Sequence, residues 1–449
     1  MGGGVLFASA GSGRTGARTG AGCGAIDGGR SGGSTGGGDQ ANSRNMRTIL
    51  AADRRRRHPS PVGEHAPAVP TLGRMTAHPD RHVTVLVVGA GQAGLSAAHH
   101  LRRRGFQPVG PGEAPGPAPE GSPGTFAVLD AEDRPGGAWL HRWDTLTMGS
   151  VNHIHELPGH PVPPADPAAR ANAVLPAYFA EYEERFELRV HRPVRVSRVE
   201  RIGEPGAAEG FRVHTDAGTW TCGFLVNATG TWTSPHWPAV PGRREFRGRQ
   251  LHTRDYVSKD EFAGQRVVIV GMGVSATQLL AEISTVADTL WVTRREPQWQ
   301  DSAAPGALAK SVRGVDERTR AGLPPGSVVE ATGMHRSSWV REAETRGVLV
   351  RHPMFTAVEP DGVRMPDGSF EPADVILWAT GFRPAIRHLA PLRLRTPAGG
   401  IRVAGGRALD EPRLFLLGYG PSQSTVGANR AGRDAARAIL ADLAGPASG

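Results

Sequence analysis

The chain contains two glycine-rich loops with the spacing of dinucleotide-binding sites, and the first reads G-x-G-x-x-G at Gly89, Gly91 and Gly94. This loop follows a β-branched apolar run at residues 83–88 and precedes a helical stretch at residues 95–104. There the first glycine permits a tight turn, the second lets the backbone approach a pyrophosphate, and the third lets helix and strand pack closely. The helix N-terminus favours the anion, because its unpaired N–H groups point at the ligand.

A carboxylate follows the first loop in chain order. The apolar run at residues 126–129 predicts a second strand that ends at Asp130, where an acidic group can bind a ribose hydroxyl. Asp130 lies later than the usual spacing of about 20 residues. A Pro- and Gly-rich surface loop at residues 108–124 accounts for the excess. The alternative is that Asp130 only ends the strand and touches no ligand.

The second loop repeats the pattern after the apolar run at residues 267–270. Gly271 and Gly273 are its first two glycines, Ser275 follows, and Ala276 stands where the first loop has its third glycine. Alanine is tolerable there, because that position needs only a small side chain for helix–strand packing. The sequence therefore predicts a second dinucleotide site, followed by a helix.

The residues after the second loop carry the opposite charge from Asp130. The predicted strand at residues 289–292 is followed by Arg294 and Arg295 rather than by an acid. A guanidinium at this place suits the 2′-phosphate of a nucleotide, so NADPH is a better fit than NADH. The alternative is that both arginines are ordinary exposed residues.

Two dinucleotide folds in one chain predict an α/β protein in which one fold holds a flavin and the other the nicotinamide cofactor that reduces it. Apolar strands with the same Ala-Thr-Gly ending, at Ala228-Thr229-Gly230 and at residues 379–381, bracket the second fold. We therefore predict an NADPH-binding domain at residues 241–374, inserted into a FAD-binding domain made of residues 83–240 and 375–449.

The composition argues against several other classes of protein. No apolar run approaches the about 18 residues that a membrane span needs. The two cysteines, Cys23 and Cys222, are too far apart in sequence for a CxxC redox pair or a zinc ribbon. Residues 1–82 hold eleven Arg and five Asp or Glu, so they carry +6 of the net charge of +9. The folded part therefore has no basic excess that would indicate nucleic acid.

Residues 1–82 are predicted to form a disordered Gly-, Arg- and Pro-rich tail, because they contain too little apolar surface to offset the entropy of ordering. An alternative is that translation starts at Met46 or Met75. The four arginines at residues 54–57 are not followed by the apolar stretch of an export signal. We therefore expect a cytoplasmic protein.

The chain also resembles the flavin-containing (class B) monooxygenases, a group of two-dinucleotide-binding-domain flavoproteins. The pattern Phe246-x-Gly248-x-x-x-His252-x-x-x-Tyr256 is similar to the fingerprint that precedes the NADPH motif of that family. Gly136-Gly137-x-Trp139, after the ribose acid, and both Ala-Thr-Gly turns match the family pattern too. The resemblance covers residues 83–446.

This resemblance implies the two cofactor sites. For FAD it implies Gly89, Gly91, Gly94, Asp130, Gly136, Gly137 and Trp139, to which we add Ala228, Thr229 and Gly230. For NADPH it implies Gly271, Gly273, Ser275 and Arg294, to which we add Arg295. His252 is expected to hydrogen-bond at the interdomain linker rather than to act as a base. Asn152 is a possible counterpart of the family's active-site asparagine, although its spacing matches poorly.

The function implied is that of a NADPH-consuming monooxygenase acting on a small molecule and O₂. NADPH reduces FAD, reduced flavin forms a C(4a)-hydroperoxide, and one oxygen passes to a nitrogen or sulfur nucleophile. The Baeyer–Villiger branch usually has Trp where this chain has Tyr256, and its Tyr-Pro-Gly turn after G-x-W is missing here. Baeyer–Villiger oxygenation, a reductase without oxygenation and a non-catalytic flavoprotein remain alternatives. We predict no metal site. The sequence identifies no single catalytic residue and does not indicate an oligomeric state.

Overall fold

The computed structural model describes residues 81–151, 154–203, 209–300, 307–326 and 334–445. Almost all of the predicted tail, together with Asn152, lies outside these residues. The described strands are β1 (Arg81–Val88), β2 (Gln107–Pro108), β3 (Thr125–Leu129), β4 (Val196–Ile202), β5 (Gly210–Thr215), β6 (Gly218–Asn227), β7 (Arg249–His252), β8 (Arg266–Val270), β9 (Asp288–Thr293), β10 (Trp299–Gln300), β11 (Met334–His335), β12 (Arg351–Pro353), β13 (Ala357–Glu359), β14 (Gly362–Arg364), β15 (Phe370–Pro372), β16 (Val375–Trp378), β17 (Val403–Ala404), β18 (Arg407–Ala408) and β19 (Glu411–Leu416).

The larger sheet has the strand order β17-β18-β19-β6-β1-β3-β2. Its central strands β19, β6, β1 and β3 are parallel, and their buried residues form the continuous apolar runs typical of strands covered on both faces. Strands β4 and β5 extend β6 as an antiparallel meander. The predicted strands of the first fold are therefore present and adjacent in this sheet.

The second sheet has the order β12-β9-β8-β16-β7, and each of its pairs is parallel. Strand β16 lies between β8 and β7, so it belongs to this sheet. The predicted boundary at residue 375 is therefore wrong, because it assigns β16 to the first domain. The shared Ala-Thr-Gly ending made β16 look like a linker, whereas its four buried residues pair along β8. Strands β13 to β15 form a small antiparallel sheet next to it in sequence.

The described helices are α1 (Gln92–Arg102), α2 (Ala171–Arg185), α3 (Val274–Ile283), α4 (Ala307–Arg320), α5 (Ser338–Thr345) and α6 (Thr425–Ala444). Short 3-10 turns include Gly137–His141 and Arg387–Leu392. The helix after the first loop begins three residues earlier than predicted, because the loop's own residues form its first turn. No helix in the described part of the chain is long and apolar enough to cross a membrane.

The core of the first fold lies on both faces of the larger sheet. Helices α1 and α6 pack together on one face, with side chains from β1, β3 and β6 beneath them. The approach of the two helices is close, since a Cβ at Gly432 would lie 2.7 Å from the backbone nitrogen of Ala97. Residues of β4, β5 and the turn at Arg387–Leu392 cover the other face. This packing fixes the N-terminal end of α1 at the carboxyl edge of the sheet.

Candidate functional site

The first glycine loop is shaped by two backbone contacts. Gly89 has φ of +99°, and its N–H donates to the carbonyl of Leu129 at 2.7 Å. A Cβ at Gly89 would lie 2.5 Å from the carbonyl oxygen of Ala228, and a Cβ at Gly94 would overlap the carbonyl oxygen of Gly89. Both positions therefore require glycine, because the loop is wedged between β3, β6 and its own helix.

The N-terminus of α1 is open to a ligand. Gly91 is its N-cap residue, no side chain caps the helix, and its first turn contains no acid. A Cβ at Gly91 would meet no atom of the described residues within 4 Å, whereas a Cβ at Gly137 would lie 3.2 Å from Gly91 Cα. The run at residues 136–139 therefore borders the same space. Free N–H groups and open space beside Gly91 fit a pyrophosphate.

Asp130 follows β3 directly, but it is not a free carboxylate. Nε of Arg192 donates to Asp130 Oδ2 at 3.0 Å, while the two Nη atoms of Arg192 donate to Glu183 at 2.6 and 2.7 Å. All three side chains are at least nine-tenths buried. Burial raises the pKa of Asp130 and of Glu183, and the guanidinium opposes this rise in both. Arg192 thus links the predicted ribose acid to helix α2.

A cleft of about 430 Å³ opens beside this ion triad, lined by the segment at residues 131–134, by Leu140 and His141, and by Pro193. His141 Nε2 lies 2.8 Å from Oε1 of Glu132 across it. The cleft begins at the residue after Asp130, so it lies next to the predicted ribose-binding acid.

The second loop repeats the first almost contact for contact. The N–H of Gly271 donates to the carbonyl of Val292 at 3.0 Å, and a Cβ at Gly271 would overlap the carbonyl oxygen of Ala379. Gly273 is the N-cap residue of α3. In the described part of the chain no side chain caps this helix, and a Cβ added to Gly273 would meet no atom within 4 Å. Ser275 is half-buried in the first turn of α3. This loop also fits a pyrophosphate.

Several arginine side chains lie around the second loop. Arg294 and Arg295 are both exposed at the end of β9. Burial lowers the pKa of His236, and the charges of Arg383 and Arg294 lower it further, which places both cations near this imidazole. On the neighbouring strand β12, Arg351 donates to Thr293 Oγ1 at 3.0 Å and also pairs with Glu296.

Two linkers cross between the glycine loops: residues 228–236, which follow β6, and residues 379–385, which follow β16. Backbone hydrogen bonds join them at this linker crossing. His236 N–H donates to the carbonyl of Gly381 at 2.9 Å, and Arg383 N–H donates to that of Ser234 at 2.8 Å. Ala385 N–H donates to the carbonyl of Gly230 at 2.9 Å. The Oγ1 of Thr229 donates to the carbonyl of Ala385, so this hydroxyl bonds to the linker.

His252 binds this crossing, as its position in the fingerprint predicts. Its Nδ1 accepts from the N–H of Arg254 at 3.2 Å, so Nε2 carries the proton and donates to the carbonyl of Gly381 at 3.0 Å. Burial lowers the pKa of His252, which keeps the ring neutral. Both ring nitrogens are therefore occupied, and His252 is a structural residue rather than a base.

The other three residues of the fingerprint have packing roles. Phe246 and Tyr256 are buried, and a Cβ at Gly248 would overlap the carbonyl oxygen of Asp374. Tyr256 stacks on Phe262 with ring centroids 5.8 Å apart.

An aromatic cluster lines the crossing on the side of the first fold. Trp232 stacks on Phe382 with centroids 5.0 Å apart, and His141 stacks on Trp232 at 6.1 Å. The guanidinium of Arg142 lies 4.4 Å from the ring centre of Trp232 and 5.6 Å from that of Trp139. Trp139 is half-buried and contacts the cores of both folds.

Two further polar contacts lie next to the first loop and at the end of β6. Gln92, in the first turn of α1, donates to Asn429 Oδ1 at 3.0 Å, which ties the loop to helix α6. His388 Nε2 lies 2.7 Å from Asn227 Oδ1 at the end of β6, and burial lowers the pKa of this histidine to about 4.

The structure thus brings the predicted residues together as two groups. One group surrounds α1 and contains Gly89, Gly91, Gly94, Asp130, Gly136, Gly137, Trp139, Ala228, Thr229 and Gly230. The other surrounds α3 and contains Gly271, Gly273, Ser275, Arg294 and Arg295. Sequence reasoning missed Arg192, Glu183, Arg142 and Trp232, whose only signal was a charged or aromatic residue without a motif. Among the described residues no group of three potential ligands could hold a metal ion.

Comparison with known proteins agrees with this geometry. The profile of the family described as pyridine nucleotide-disulphide oxidoreductase matches residues 142–400, which is more than half of the chain. The solved flavin-containing monooxygenase from Stenotrophomonas maltophilia is 35% identical, with a TM-score of 0.64, over 80% of this chain and 98% of that one. The chain belongs to the flavin monooxygenases of this family.

Two curated relatives of this flavin monooxygenase match over a shorter length. A Baeyer-Villiger monooxygenase of Streptomyces coelicolor is 29% identical over 219 residues, which is 49% of this chain and 39% of the relative. The probable indole-3-pyruvate monooxygenase YUCCA4 of Arabidopsis thaliana is 30% identical over 199 residues, 44% of this chain and 43% of the relative. The chain thus spans less than half the length of either.

Family membership makes the chain an oxidoreductase, and FAD and NADPH are the cofactors of that family. The structure offers a place for each. Both helix N-termini are uncapped and open, and each follows a strand–loop that only glycine can form. An acid follows β3 and two arginines follow β9, so the two loops differ in the charge that lies beside them.

Proposed function

We propose that this chain is a monooxygenase that consumes NADPH and O₂ and oxygenates a nitrogen or sulfur atom of a small molecule. The observation that carries the proposal is the pair of open glycine loops, at Gly91 and Gly273, joined by one hydrogen-bonded crossing of the linkers. Two dinucleotide cradles on either side of one crossing suit hydride delivery from one cofactor to the other. The Stenotrophomonas relative, named a flavin-containing monooxygenase, supports the oxygenation.

Each predicted site residue has a proposed role. The N-terminus of α1 binds the pyrophosphate of FAD, Asp130 binds its ribose, and the run at residues 136–139 lies against the cofactor. The N-terminus of α3 binds the pyrophosphate of NADPH, and Arg294 and Arg295 bind its 2′-phosphate. FAD, once reduced, supplies the chemistry that activates O₂. The protein positions the cofactors and excludes water around them.

The linker crossing sets the arrangement of the two sites. His252 fixes the second Ala-Thr-Gly turn by donating to Gly381. With the boundary corrected for β16, we propose a FAD domain of residues 83–240 and 379–449 and an NADPH domain of residues 241–378. Localisation in the cytoplasm and the absence of a nucleic-acid partner stay predictions from the sequence.

Baeyer–Villiger oxygenation is the second candidate, because the Streptomyces relative carries that name. The packing of Tyr256 against Phe262 and Trp143 gives no reason to prefer it. A reductase that passes electrons onward without oxygenation needs only the same two sites.

The test uses the FAD-loaded full chain. It is reduced with NADPH without oxygen, mixed with oxygenated buffer, and followed by its flavin spectrum with and without methyl phenyl sulfide or cyclohexanone. We expect a long-lived intermediate spectrum before oxidised flavin returns, and one sulfoxide formed per NADPH consumed. Lactone formation from cyclohexanone without sulfoxide would favour Baeyer–Villiger oxygenation. Immediate reoxidation with peroxide release in every case would favour the reductase.

A further inference from the structure

Arg142 is a cation with no anionic partner among the residues that the structure describes. Its guanidinium lies over Trp232 and Trp139, at 4.4 and 5.6 Å from their ring centres. Its Nε is fully buried, and no described residue accepts a hydrogen bond from it. No carboxylate in the described part of the chain forms a salt bridge with Arg142. The residue as a whole is half-buried, so part of the side chain remains reachable.

This arrangement is unfavourable for an isolated cation. Burial alone lowers the pKa of Arg142 to about 10, so the group stays protonated at neutral pH. Indole faces attract a guanidinium, but they offer no acceptor in the plane of its N–H groups. A planar guanidinium with free N–H groups matches a carboxylate or a phosphate in a bidentate fashion. An anionic ligand would therefore complete the site.

The position of Arg142 separates it from the two phosphate cradles. Trp139 belongs to the run that borders the FAD loop, whereas Trp232 follows the first Ala-Thr-Gly turn and stacks on Phe382, which follows the second. Arg142 thus lies at the linker crossing. Each pyrophosphate already has a helix N-terminus of its own, at Gly91 or at Gly273. A substrate reaching the crossing would meet a cation flanked by flat apolar rings.

We infer that Arg142, with Trp139 and Trp232 as apolar walls, binds the carboxylate of an organic-acid substrate and so orients its nitrogen or sulfur atom. This inference rests on the proposed function, because it names the class of substrate for that reaction. The carboxylate would accept from the guanidinium, and an apolar or aromatic part of the same molecule would lie against the indole rings. Arg142 is then a residue that determines specificity.

The test measures binding rather than turnover. The probes are (phenylthio)acetate and its neutral analogue (phenylthio)acetamide, titrated calorimetrically into oxidised FAD-loaded enzyme with NADP⁺ present. A charge-assisted bidentate contact is worth at least about 1.4 kcal/mol, so we expect (phenylthio)acetate to bind about tenfold tighter or better. In Arg142→Met, which keeps an unbranched chain over the rings, this preference should vanish. Arg142→Lys should retain part of it.

Controls distinguish the loss of the positive charge of Arg142 from a general loss of folding or of cofactor binding. Arg437→Met removes an exposed arginine on α6 and should leave the preference for the carboxylate intact. Melting temperature and FAD content are measured for every variant, and Kd for NADP⁺ should not change in Arg142→Met. If Arg142→Met does not fold, Arg142→Lys and the two probes on the unaltered enzyme still show whether Arg142 binds the carboxylate.

Three outcomes would overturn the inference. The unaltered enzyme could bind both probes equally, or Arg142→Met could keep the preference for the carboxylate. Alternatively, Arg142→Met could weaken NADP⁺ or FAD without touching probe binding, which would make a cofactor phosphate the anion. Failure of the proposed function looks different, since it shows as NADPH oxidation without sulfoxide while the carboxylate preference persists.

Discussion

The two nucleotide loops share their backbone and differ in the side chains that surround it. In both, the first glycine donates a hydrogen bond to the neighbouring strand and lies against an Ala-Thr-Gly turn, with Ala228 in one and Ala379 in the other. In the proposed roles, this shared backbone geometry serves the pyrophosphate that both cofactors have in common. The surrounding charges then serve what distinguishes the two nucleotides.

The clearest difference is the surrounding charge. Asp130 is buried and held by Arg192, which also binds Glu183. Arg294 is exposed at the matching position after β9. A buried acid suits a cofactor that stays in place, and an exposed cation suits one that must enter and leave with every turnover. In the proposed roles, the first loop therefore suits a cofactor that is retained and the second a cofactor that exchanges.

The largest expected effect comes from removing the cation of the buried triad. Arg192→Met leaves Asp130 and Glu183 buried without a counter-charge, so we expect about 3–5 kcal/mol less stability and loss of bound FAD. Urea unfolding and flavin absorbance measure both. The matched change in the second fold, Arg294→Met, should leave stability within about 0.5 kcal/mol. Equal effects of the two changes would remove the contrast between the folds.

Gly94→Ala tests why the third loop position differs between the folds. Its Cβ would overlap the carbonyl of Gly89, so we expect a loss of about 1–3 kcal/mol and weaker FAD binding. The reverse change in the second loop, Ala276→Gly, should cost about 1–2 kcal/mol, through helix propensity and the loss of one buried methyl group rather than through a clash. Thermal unfolding of both variants is the measurement, and a harmless Gly94→Ala would contradict the packing argument.

We expect the cofactor preference of the second loop to depend on the charge of Arg294 at its edge. Arg294→Ser should raise KM for NADPH about tenfold, since a lost charge-assisted contact costs about 1.5 kcal/mol, and should leave KM for NADH unchanged. Steady-state NADPH and NADH oxidation measure this. Arg294→Lys is the control that keeps the charge. A parallel rise for both nucleotides would show that Arg294 does not contact the 2′-phosphate.

The smallest effect concerns acid stability, which differs between the two helices that follow the loops. Helix α1 carries His99, whose ring nitrogens have no partner among the described residues, whereas α3 contains no histidine. Burial lowers the pKa of His99 to about 4 from 6.5, so below pH 6.5 the unfolded chain binds a proton that the folded chain excludes. Stability therefore falls as the pH drops from 6.5 toward 4.

His99→Leu removes this proton uptake. Relative to its own stability at pH 7.5, the variant should lose about 1 kcal/mol less than the unaltered chain at pH 6, with the difference growing toward pH 4. Urea unfolding across this range measures it. His155→Leu, at an exposed position, is the control and should leave the pH profile unchanged. An unaltered profile in His99→Leu would show that other groups set the acid limit.

The local part of the fold was readable from sequence. Each loop lies within one strand–turn–helix stretch, so glycine spacing and apolar runs were enough to place both loops between a strand and a helix, although the first helix begins three residues earlier than predicted. His252 was placed at the linker by its fingerprint alone. The boundary at residue 375 failed, because the partner strands that define β16 are far away in sequence and its ending copies that of β6.

The non-local part was not readable. Arg192 lies 62 residues after Asp130, and only the register of the folded chain makes the two meet. Arg142 and Trp232 come from different segments and carry no motif, so neither indicated that a cation would be buried between rings. Gln92 and Asn429 meet for the same reason, through the packing of α1 against α6. Such pairs depend on tertiary contacts that no local pattern encodes.

The strand order of the larger sheet also has a consequence for synthesis on the ribosome. Strand β6 pairs with β19, and the whole second sheet lies between them in the chain. The second sheet therefore has all its strands outside the ribosome while the C-terminal part of one edge of β6, beyond its pairing with β5, is still uncovered. Until β19 and α6 emerge, the nascent chain exposes an apolar strand edge and half of a helix interface. This is the interval in which aggregation competes with folding and a chaperone has most to protect.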